Sequence, residues 1–419
     1  MKKFVLALCF FILPTQIFAQ WVAQSSGVTT ILSCIKVVDT NVAWAAGDSG
    51  VVIRTTDGGV NWVFAGGGAI GNNTILNIDA VDSNIAFVTF TVSDITYLYS
   101  TTNGGKDWEF VFSQSGGFIN DIHMIDHLNG IAYGDPVGGK WTIIRTMDGG
   151  VSWNRIPTEP IPNGTEIGPY CNSLSVIDSS YICFLGAQRV YRSSDGGLTW
   201  TNTYTPDYYS SIWFINDSIG MSSSNNNVGL STDSGITWNQ ISIPGQGNYY
   251  SLAGSGTRDF WTASDGYVYH TTDFGSNWTS ELIFFGNIFA IDFVTIGNTA
   301  IGYVAGTNGN LARFEAPITS VRELTTTLYS YSLEQNYPNP FNPSTKISWH
   351  SPVGTWQTLK VYDVLGNEVA TLVNEYRQAG SYEVEFKSTV GSHQLANGVY
   401  FYRLQAGDYV ESKKMILLK

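Results

Sequence analysis

The chain has 419 residues, a formal net charge of −13, and a composition that is 13% charged and 14% aromatic. The negative charge is concentrated in residues 21–330, which hold 26 acidic and 11 basic side chains, whereas residues 331–419 hold 8 of each. An acidic domain repels a phosphate backbone, and no basic stripe is present that could release its counterions. These features argue against a nucleic-acid partner.

The first 20 residues have the layout of a secretory signal peptide. Lys2 and Lys3 precede an apolar run from Phe4 to Leu13, and a small-residue exit follows at Ala19. The run is too short for a stop-transfer helix, and no later window has the ~18 apolar residues that a transmembrane helix needs. We expect residues 1–20 to be cleaved and no transmembrane helix to remain. The alternatives are a membrane anchor and a buried helix.

Six eight-residue segments recur along the chain and align without gaps. They are TTDGGVNW (55–62), TTNGGKDW (101–108), TMDGGVSW (146–153), SSDGGLTW (193–200), STDSGITW (231–238) and TTDFGSNW (271–278). Their tryptophans are 46, 45, 47, 38 and 40 residues apart, close to the about 40–45 residues of one four-stranded propeller blade. The repeat therefore predicts an all-β fold, a β-propeller with one such box per blade.

Each box is expected to form the turn between the third and fourth strands of a blade. The Asp or Asn side chain accepts hydrogen bonds from backbone N–H groups, and glycine supplies a positive φ. The tryptophan is expected to lie flat on the next blade. These structural residues are Asp57, Trp62, Asn103, Trp108, Asp148, Trp153, Asp195, Trp200, Asp233, Trp238, Asp273 and Trp278.

The two ends of the repeat region together predict a seventh blade. Residues 285–315 supply three strands of a further repeat, and the chain then leaves without a box or a fourth strand. Residues 20–24 resemble a fourth strand with its leading Trp21, and no third strand precedes them. Pairing of residues 21–25 with residues 310–315 would close a seven-bladed ring non-covalently and remove its exposed sheet edges.

The box resembles the Asp-box, or BNR repeat, of sialidases, sortilin-type receptors and certain glycosidases. The longer segment GDSGVVIRTTDGGVNW (47–62) is most similar to the photosystem II assembly/stability-factor-like propellers of bacterial secreted proteins. The resemblance covers residues 21–315 and implies a seven-bladed β-propeller. It implies little about function, because the box specifies architecture.

A Thr/Ser-rich linker (316–330) separates the propeller from residues 331–419, which have the pattern of a small Ig-like β-sandwich. This module resembles the type A C-terminal sorting domain of the type IX (Por) secretion system. The matching residues include Asn336, Pro338, Pro340, Asn342, Pro343, Asp363 and Gly366. The resemblance implies that the type IX machinery is a partner and that the protein is secreted or held at the outer-membrane surface. The alternative is an ordinary carbohydrate-binding or adhesion module.

Catalytic patterns are weak. Four arginines occupy one equivalent position of their repeats rather than converging on a substrate carboxylate, and these are Arg54, Arg145, Arg192 and Arg313. The sialidase-like Arg155-Ile156-Pro157 follows the third box instead of preceding the first. A two-carboxylate glycosidase stays open, because the sequence does not give the distances between the 26 acidic groups. We assign no catalytic residue and no cofactor.

Metal-binding and disulfide patterns are weak too. His123 and His127 fall on a strand and a turn, where they do not share a helical face, so we assign no metal. Without Cys9 of the signal peptide, Cys34, Cys171 and Cys183 remain, an odd number that forms no disulfide framework. We favour buried thiols over a bridge between Cys171 and Cys183.

The face opposite the boxes is the candidate ligand surface. Aromatic side chains lead into it from successive blades, and the candidate ligand-binding residues are Phe118, Tyr170, Tyr208, Tyr209, Tyr249, Tyr250 and Phe289. The long connection 157–171 feeds the same rim, and four loops add carboxylates at Asp48, Asp94, Asp135 and Asp265. Such a collar suits stacking on sugar rings or gripping a peptide. The alternative is that the rings are core that caps the central channel.

The sequence as a whole predicts a monomeric, secreted or cell-surface propeller that acts as a non-enzymatic binding or structural module. Its ligand is expected to be a glycan or a peptide. The alternative, from a different class, is a secreted polysaccharide-degrading glycoside hydrolase of the sialidase-like or two-carboxylate type.

Overall fold

A computed structural model of the protein describes residues 21–418 except 170–171, 208, 225–226, 246, 248, 250, 257, 318–331, 334, 352–354, 378–379, 391–392 and 408. The predicted signal peptide therefore lies outside the described residues. The chain divides into two compact units, residues 1–318 and 319–419. Among the described residues, no helix is long and apolar enough to cross a membrane.

The first unit consists of seven four-stranded antiparallel sheets, the blades, each with strands a to d in spatial order. The a strands of blades 1 to 7 are Leu32–Val37, Ile75–Ala80, Ile119–Met124, Leu174–Val176, Tyr209–Phe214, Ser251–Ser255 and Ile288–Ile296. The b strands are Ala43–Gly47, Ala86–Val92, Gly130–Val137, Ile182–Leu185, Gly220–Ser224, Asp259–Ser264 and Thr299–Gly306. The c strands are Val52–Thr55, Ile95–Thr101, Lys140–Thr146, Arg189–Ser193, Asn227–Ser231, Tyr267–Thr271 and Leu311–Pro317. The d strands are Val63–Phe64, Glu109–Ser115, Asn154–Arg155, Thr201–Tyr204, Asn239–Ser242, Thr279–Leu282 and, for blade 7, Val22–Gln24.

The blades form a closed ring in which the seven a strands lie innermost. The a strand of each blade contacts the a strands of both neighbours, including blade 7 against blade 1. The b strands are almost wholly buried, as in Ala43–Gly47 and Gly220–Ser224. The d strands are mostly exposed. Because most sheets are covered on both faces, their inner strands are nearly continuous in apolar or small residues. This confirms the predicted seven-bladed propeller.

The seventh blade is completed by the N-terminal strand, as the ends of the repeat predicted. Val22, Ala23 and Gln24 pair with Arg313, Ala312 and Leu311 in antiparallel register. Trp21 is buried against Trp261 of blade 6 and against Phe293 and Phe314 of blade 7, with ring centroids 5.4–6.1 Å apart.

The described residues of the second unit form two main antiparallel sheets. One contains Ser332–Leu333, Ser344–Ser351 and Gly380–Lys387, and the other contains Glu368–Arg377, Thr355–Tyr362, Gly398–Ala406 and Tyr409–Leu417 in that spatial order. A separate two-stranded ladder pairs Thr389–Val390 with His393–Gln394. The two sheets enclose a core that includes Trp349, Leu359, Tyr402 and Met415. The sandwich alternates buried and exposed residues along Gly398–Ala406, the period-two pattern of a sheet with one solvated face.

The ring closure predicts a large cost for losing Trp21. Trp21→Ala is expected to lower the free energy of unfolding by about 3 to 5 kcal/mol, because it removes a buried indole from the contact between blades 6 and 7. Deletion of residues 21–26 should lower the midpoint of unfolding further, since it also frees the edge of Leu311–Pro317.

Val22→Ala is the matched control, because Val22 is 58% exposed and its loss should cost less than about 0.5 kcal/mol. Urea unfolding followed by tryptophan fluorescence measures all three variants. Unchanged stability after the deletion would contradict non-covalent closure.

Candidate functional site

The six boxes form turns with one shared hydrogen-bond pattern. In each, the first hydroxyl accepts from the N–H of the glycine at position five at 2.7–2.9 Å. The Asp or Asn at position three accepts from the N–H of position seven at 2.8–3.0 Å. Box 2 reverses the side-chain pair, because Asn103 Nδ2 donates to Asp107 Oδ2 at 2.8 Å. The box is thus a self-contained turn whose side chains satisfy its own backbone.

The tryptophans of boxes 1 to 3 lie at the seams between blades, where they pack on the preceding blade, not on the next one as predicted. The Trp108 indole N–H of blade 2 donates to the Ala65 carbonyl of blade 1 at 2.9 Å. Trp153 of blade 3 meets the edge of Phe87 of blade 2. The physical reason is that the box turn lies beside the preceding blade, as the close approach of Gly105 to Ala65 indicates.

The four repeat arginines also cross from one blade to its neighbour, but they reach the following blade. This agrees with their assignment to the repeat. Arg54 donates to the Ser83 carbonyl of blade 2, and Arg313 donates to the Thr40 carbonyl of blade 1 at 3.2 Å. Arg192 donates to the Gly235 carbonyl of blade 5 at 2.8 Å. Arg145 lies near Gly196 of blade 4. Each guanidinium therefore reaches a turn of the following blade instead of converging on one substrate.

Polar side chains of the a strands connect neighbouring blades around the central channel. Asp292 of blade 7 accepts from the Val37 N–H of blade 1 at 2.7 Å, and Asp79 of blade 2 accepts from the Met124 N–H of blade 3 at 2.5 Å. Four further side-chain oxygens accept N–H bonds from the next blade in the same way, those of Asp121, Ser175, Ser211 and Ser251. Between blades 1 and 2, Lys36 Nζ lies 2.8 Å from Asp79 Oδ1.

The channel cluster has strongly shifted protonation equilibria. Burial raises the pKa of Asp121 to about 7 and that of Asp292 to about 6. Burial also lowers the pKa of His123 to about 4, which keeps this imidazole neutral. Burial opposes the charge of Lys36, but the Asp79 and Asp292 carboxylates outweigh it and raise the pKa of the ammonium. This cluster was not predicted from the sequence, although its signal is visible as a charged residue inside the otherwise apolar a strands of blades 1, 2, 3 and 7.

The residues of the candidate aromatic collar lie in different environments. Tyr209 and Tyr249 are only 3% and 1% exposed. Tyr209 precedes the bulge that opens strand a, a position held by Leu32 in blade 1 and by Ile75 in blade 2. These two tyrosines thus have the core environment of the alternative interpretation. Phe118 and Phe289 are partly exposed, whereas Tyr170, Tyr208 and Tyr250 lie outside the described residues.

The four loop aspartates also differ. Asp135 is buried and accepts from Asn120 Nδ2 at 2.8 Å and from the Gly168 N–H at 2.9 Å, which fastens the connection 157–171 to blade 3. Asp48 is partly exposed, and Asp94 and Asp265 are exposed. Asp135 is therefore a structural residue of the rim.

The sialidase-like Arg155 is held by its own connection. Its guanidinium makes a bidentate pair with Glu159, with Nε to Oε1 at 2.7 Å and Nη2 to Oε2 at 2.9 Å. A bidentate pair of this kind fixes both side chains and occupies the donors that a substrate carboxylate would need.

The histidine and cysteine motifs form no centre in the part of the chain that the structure describes. His123 faces the channel cluster, whereas Asp126 accepts the N–H groups of Leu128 and Asn129 in an exposed turn. No group of three or more His, Cys, Asp or Glu side chains there could hold a metal ion. Cys34 and Cys183 are buried, and Cys171 lies outside the described residues.

The sorting-motif residues fix the start of the sandwich to its last strand. Asn336 is buried, and its Nδ2 donates to Thr345 Oγ1 at 2.9 Å and to the Pro338 carbonyl at 3.1 Å. The Phe341 N–H donates to the Ile416 carbonyl at 2.9 Å. By contrast, Pro338, Pro340, Asn342 and Pro343 are exposed.

The second half of the motif is a turn. Asp363 Oδ1 accepts from the Leu365 and Asn367 N–H groups at 2.9 Å, and Gly366 has a φ of 84°. These hydrogen bonds, led by those from Asn367, lower the pKa of Asp363. The motif thus combines residues that hold the fold with prolines and a turn that face solvent.

This chain is similar to many solved structures, and among them are the following three. The one described as YCF48 bound to D1 peptide has a TM-score of 0.57 at 16% identity and covers 72% of this chain and 98% of that chain. YCF48 from Cyanidioschyzon merolae has a TM-score of 0.54 at 19% identity, with coverages of 70% and 98%. The WD40 β-propeller domain of Doa1 has a TM-score of 0.51 at 12% identity, with coverages of 71% and 97%. At these identities the similarity establishes the propeller fold, which resembles the photosystem II assembly factor as predicted.

The C-terminal unit has a family match of its own. Residues 335–418 match the model of the secretion system C-terminal sorting domain, Por_Secre_tail. The match confirms the resemblance stated from the motif that begins at Asn336. No curated protein is significantly similar to this chain.

The box geometry predicts a specific dependence of stability on pH. Hydrogen bonds from the Thr199 hydroxyl and N–H, and then from Ser193, lower the pKa of Asp195 from 3.8 to about 2. A carboxyl with a lowered folded-state pKa contributes stability above its unfolded pKa and loses it as pH falls through the folded pKa. The contribution of Asp195 should therefore be complete above pH 4 and disappear towards pH 2.

Thr199→Val tests this prediction, because it removes only the hydroxyl donor to Asp195 Oδ2 at 2.6 Å. We expect the pKa of Asp195, followed by NMR of its carboxyl carbon, to rise towards 3.8. Ser152→Ala in box 3 is the matched control, since it removes the equivalent donor to Asp148 and should leave Asp195 unchanged. A pKa of Asp195 that stays near 2 in Thr199→Val would contradict this account.

Proposed function

We propose that this chain, a β-propeller that carries a secretion system C-terminal sorting domain, is an exported, non-enzymatic binding or structural module. The observation that carries the proposal is the sorting domain at residues 335–418, which indicates export by a type IX system. The propeller is then the cargo, and its function is exercised in the medium or at the outer-membrane surface.

The ligand surface in this proposal is the face opposite the boxes. Phe118 and Phe289 are partly exposed at the start of their blades and supply aromatic contact area. A propeller of similar fold is described in complex with a D1 peptide, which supports a peptide as one class of ligand. A glycan remains the other class, because exposed rings also suit sugar stacking.

The environments of the charged groups support a non-enzymatic role. Arg155 is paired with Glu159, and the repeat arginines hold seams. Asp121 and Asp292, whose raised pKa values would suit a general acid, accept backbone N–H bonds from the next blade instead. No specific observation favours the glycoside hydrolase.

The export part of the proposal predicts the fate of a reporter. A periplasmic reporter fused to residues 331–419 should reach the cell surface or medium of a type IX-competent host. The same fusion without Tyr409–Leu417 should stay in the periplasm, because that strand pairs with Gly398–Ala406 along its whole length. Cell fractionation and surface proteolysis measure the distribution. Retention of the intact fusion in the periplasm would count against export.

The binding part predicts a separation between affinity and stability. On peptide and glycan arrays, Phe118→Ala and Phe289→Ala should each weaken binding at least about tenfold while the melting temperature changes little. Tyr249→Ala is the contrasting variant, because its ring is buried against Tyr269 at 5.5 Å and its loss should cost about 3 kcal/mol or more.

Two outcomes would overturn the binding proposal. One is binding that is unaffected by both phenylalanine variants. The other is release of reducing sugar from the same glycans by the wild-type propeller, which would establish the hydrolase instead.

A further inference from the structure

A cavity of about 270 Å³ lies on the box face between blades 4 and 5, opposite the proposed ligand surface. The residues that line it each carry a polar group, and they include Tyr181, Arg192, Ser194, Thr201, Asp217 and Ser234. One guanidinium, one carboxylate and several hydroxyls thus face one small space. Nothing in the proposed export or rim binding uses this cavity.

The identity of one neighbouring residue explains why a guanidinium is available here. Arg54 and Arg313 have Trp44 and Tyr303 as cross-strand neighbours, and these rings lie 5.3 and 5.9 Å from the guanidinium carbons. The neighbour of Arg192 is the small Cys183. No described ring therefore stacks on the Arg192 guanidinium, which lines the cavity instead.

The guanidinium of the cavity is oriented before any ligand binds. Arg192 Nη1 donates to Thr203 Oγ1 and to the Gly235 carbonyl, both at 2.8 Å. Asp217 Oδ1 accepts from Ser218 Oγ at 2.9 Å. Because Arg192 is held through Nη1, its Nη2 can point to a ligand with a smaller loss of side-chain entropy, whereas Asp217 is exposed at the edge of the cavity.

Box 5, beside the cavity, also differs from boxes 1 to 4 in its backbone. Ser234, with a φ of 64°, stands where boxes 1 to 4 have glycine. The left-handed conformation costs a non-glycine residue about 1 kcal/mol or more. The equivalent Phe274 of box 6 is buried and gains packing, whereas Ser234 lines the cavity and its carbonyl accepts from the Tyr181 hydroxyl at 2.9 Å.

We propose that this cavity binds a uronic acid, a monosaccharide-sized ring that bears one carboxylate and several hydroxyls. The carboxylate is placed on Arg192, because a planar guanidinium recognises it with parallel N–H donors. Asp217 accepts from ring hydroxyls, and Ser194, Thr201 and Ser234 can both donate to and accept from such groups. An unsubstituted small anion leaves Asp217 and these hydroxyls without partners, so it fits the lining less well.

The test uses D-glucuronate and D-glucose as probes of the full mature chain, by isothermal titration and saturation-transfer NMR. Wild type should bind glucuronate at least about tenfold more tightly than glucose. Arg192→Gln should reduce glucuronate affinity to the level of glucose. Arg54→Gln, which changes the equivalent arginine at a seam without this cavity lining, should bind like wild type.

A second variant blocks the cavity without touching its charges. Ser194→Met introduces the side chain that box 3 carries at the same position, where Met147 is 80% exposed, so the fold should tolerate it. It should abolish binding of both sugars, whereas Thr56→Met in box 1 should have no effect. Absence of saturable glucuronate binding by wild type up to about 10 mM would overturn the proposal. So would glucuronate binding that survives Arg192→Gln.

Discussion

The backbone of the innermost strands is the constraint on which the propeller depends. Strand a is an edge strand of every blade, so half of its N–H groups have no partner within their own sheet. An unpaired buried N–H costs about 1 to 3 kcal/mol, and seven such edges meet at one channel. The chain meets this demand with Asp and Ser side chains that reach from one blade to the next. Asp121 and Asp292 are buried because they accept these N–H bonds beside the channel, and the burial raises their pKa values.

A second ring of contacts lies at the boxes. The indoles of Trp62, Trp108 and Trp153 pack on the blade before their own, and in four blades an arginine reaches a turn of the blade after it. Neighbouring blades are therefore held together in two places, by hydrogen bonds beside the central channel and by side-chain contacts near the boxes.

Much of the fold could be predicted from the sequence because its signals are local. The Asp-Gly turn and the spacing of the tryptophans gave the blades, and the unmatched strand at Trp21 gave the closure. Direction across a seam was not predictable, because a linear repeat does not say whether Trp108 faces the earlier or the later blade. Tyr209 resembled part of a collar because its alignment with Leu32 and Ile75 emerges only from the bulge in the strand register. The burial of Tyr249 is likewise visible only in the folded chain. The Arg192 cavity forms where turns of blades 4 and 5 meet, and no local sequence pattern predicts that meeting.

The N-terminal strand that completes blade 7 also sets an order of events for the folding chain. Val22 is among the first residues of the propeller to leave a ribosome or a translocation channel, yet its partner Arg313 is among the last. A contact between positions so distant in sequence forms late, because the entropy of the long loop between them must be lost before the contact contributes any stability. Until then the edge of Leu311–Pro317 stays open to pairing with another chain. The ring is consequently most prone to aggregate in the interval just before it closes, and a partner that covers either strand during export would protect it then.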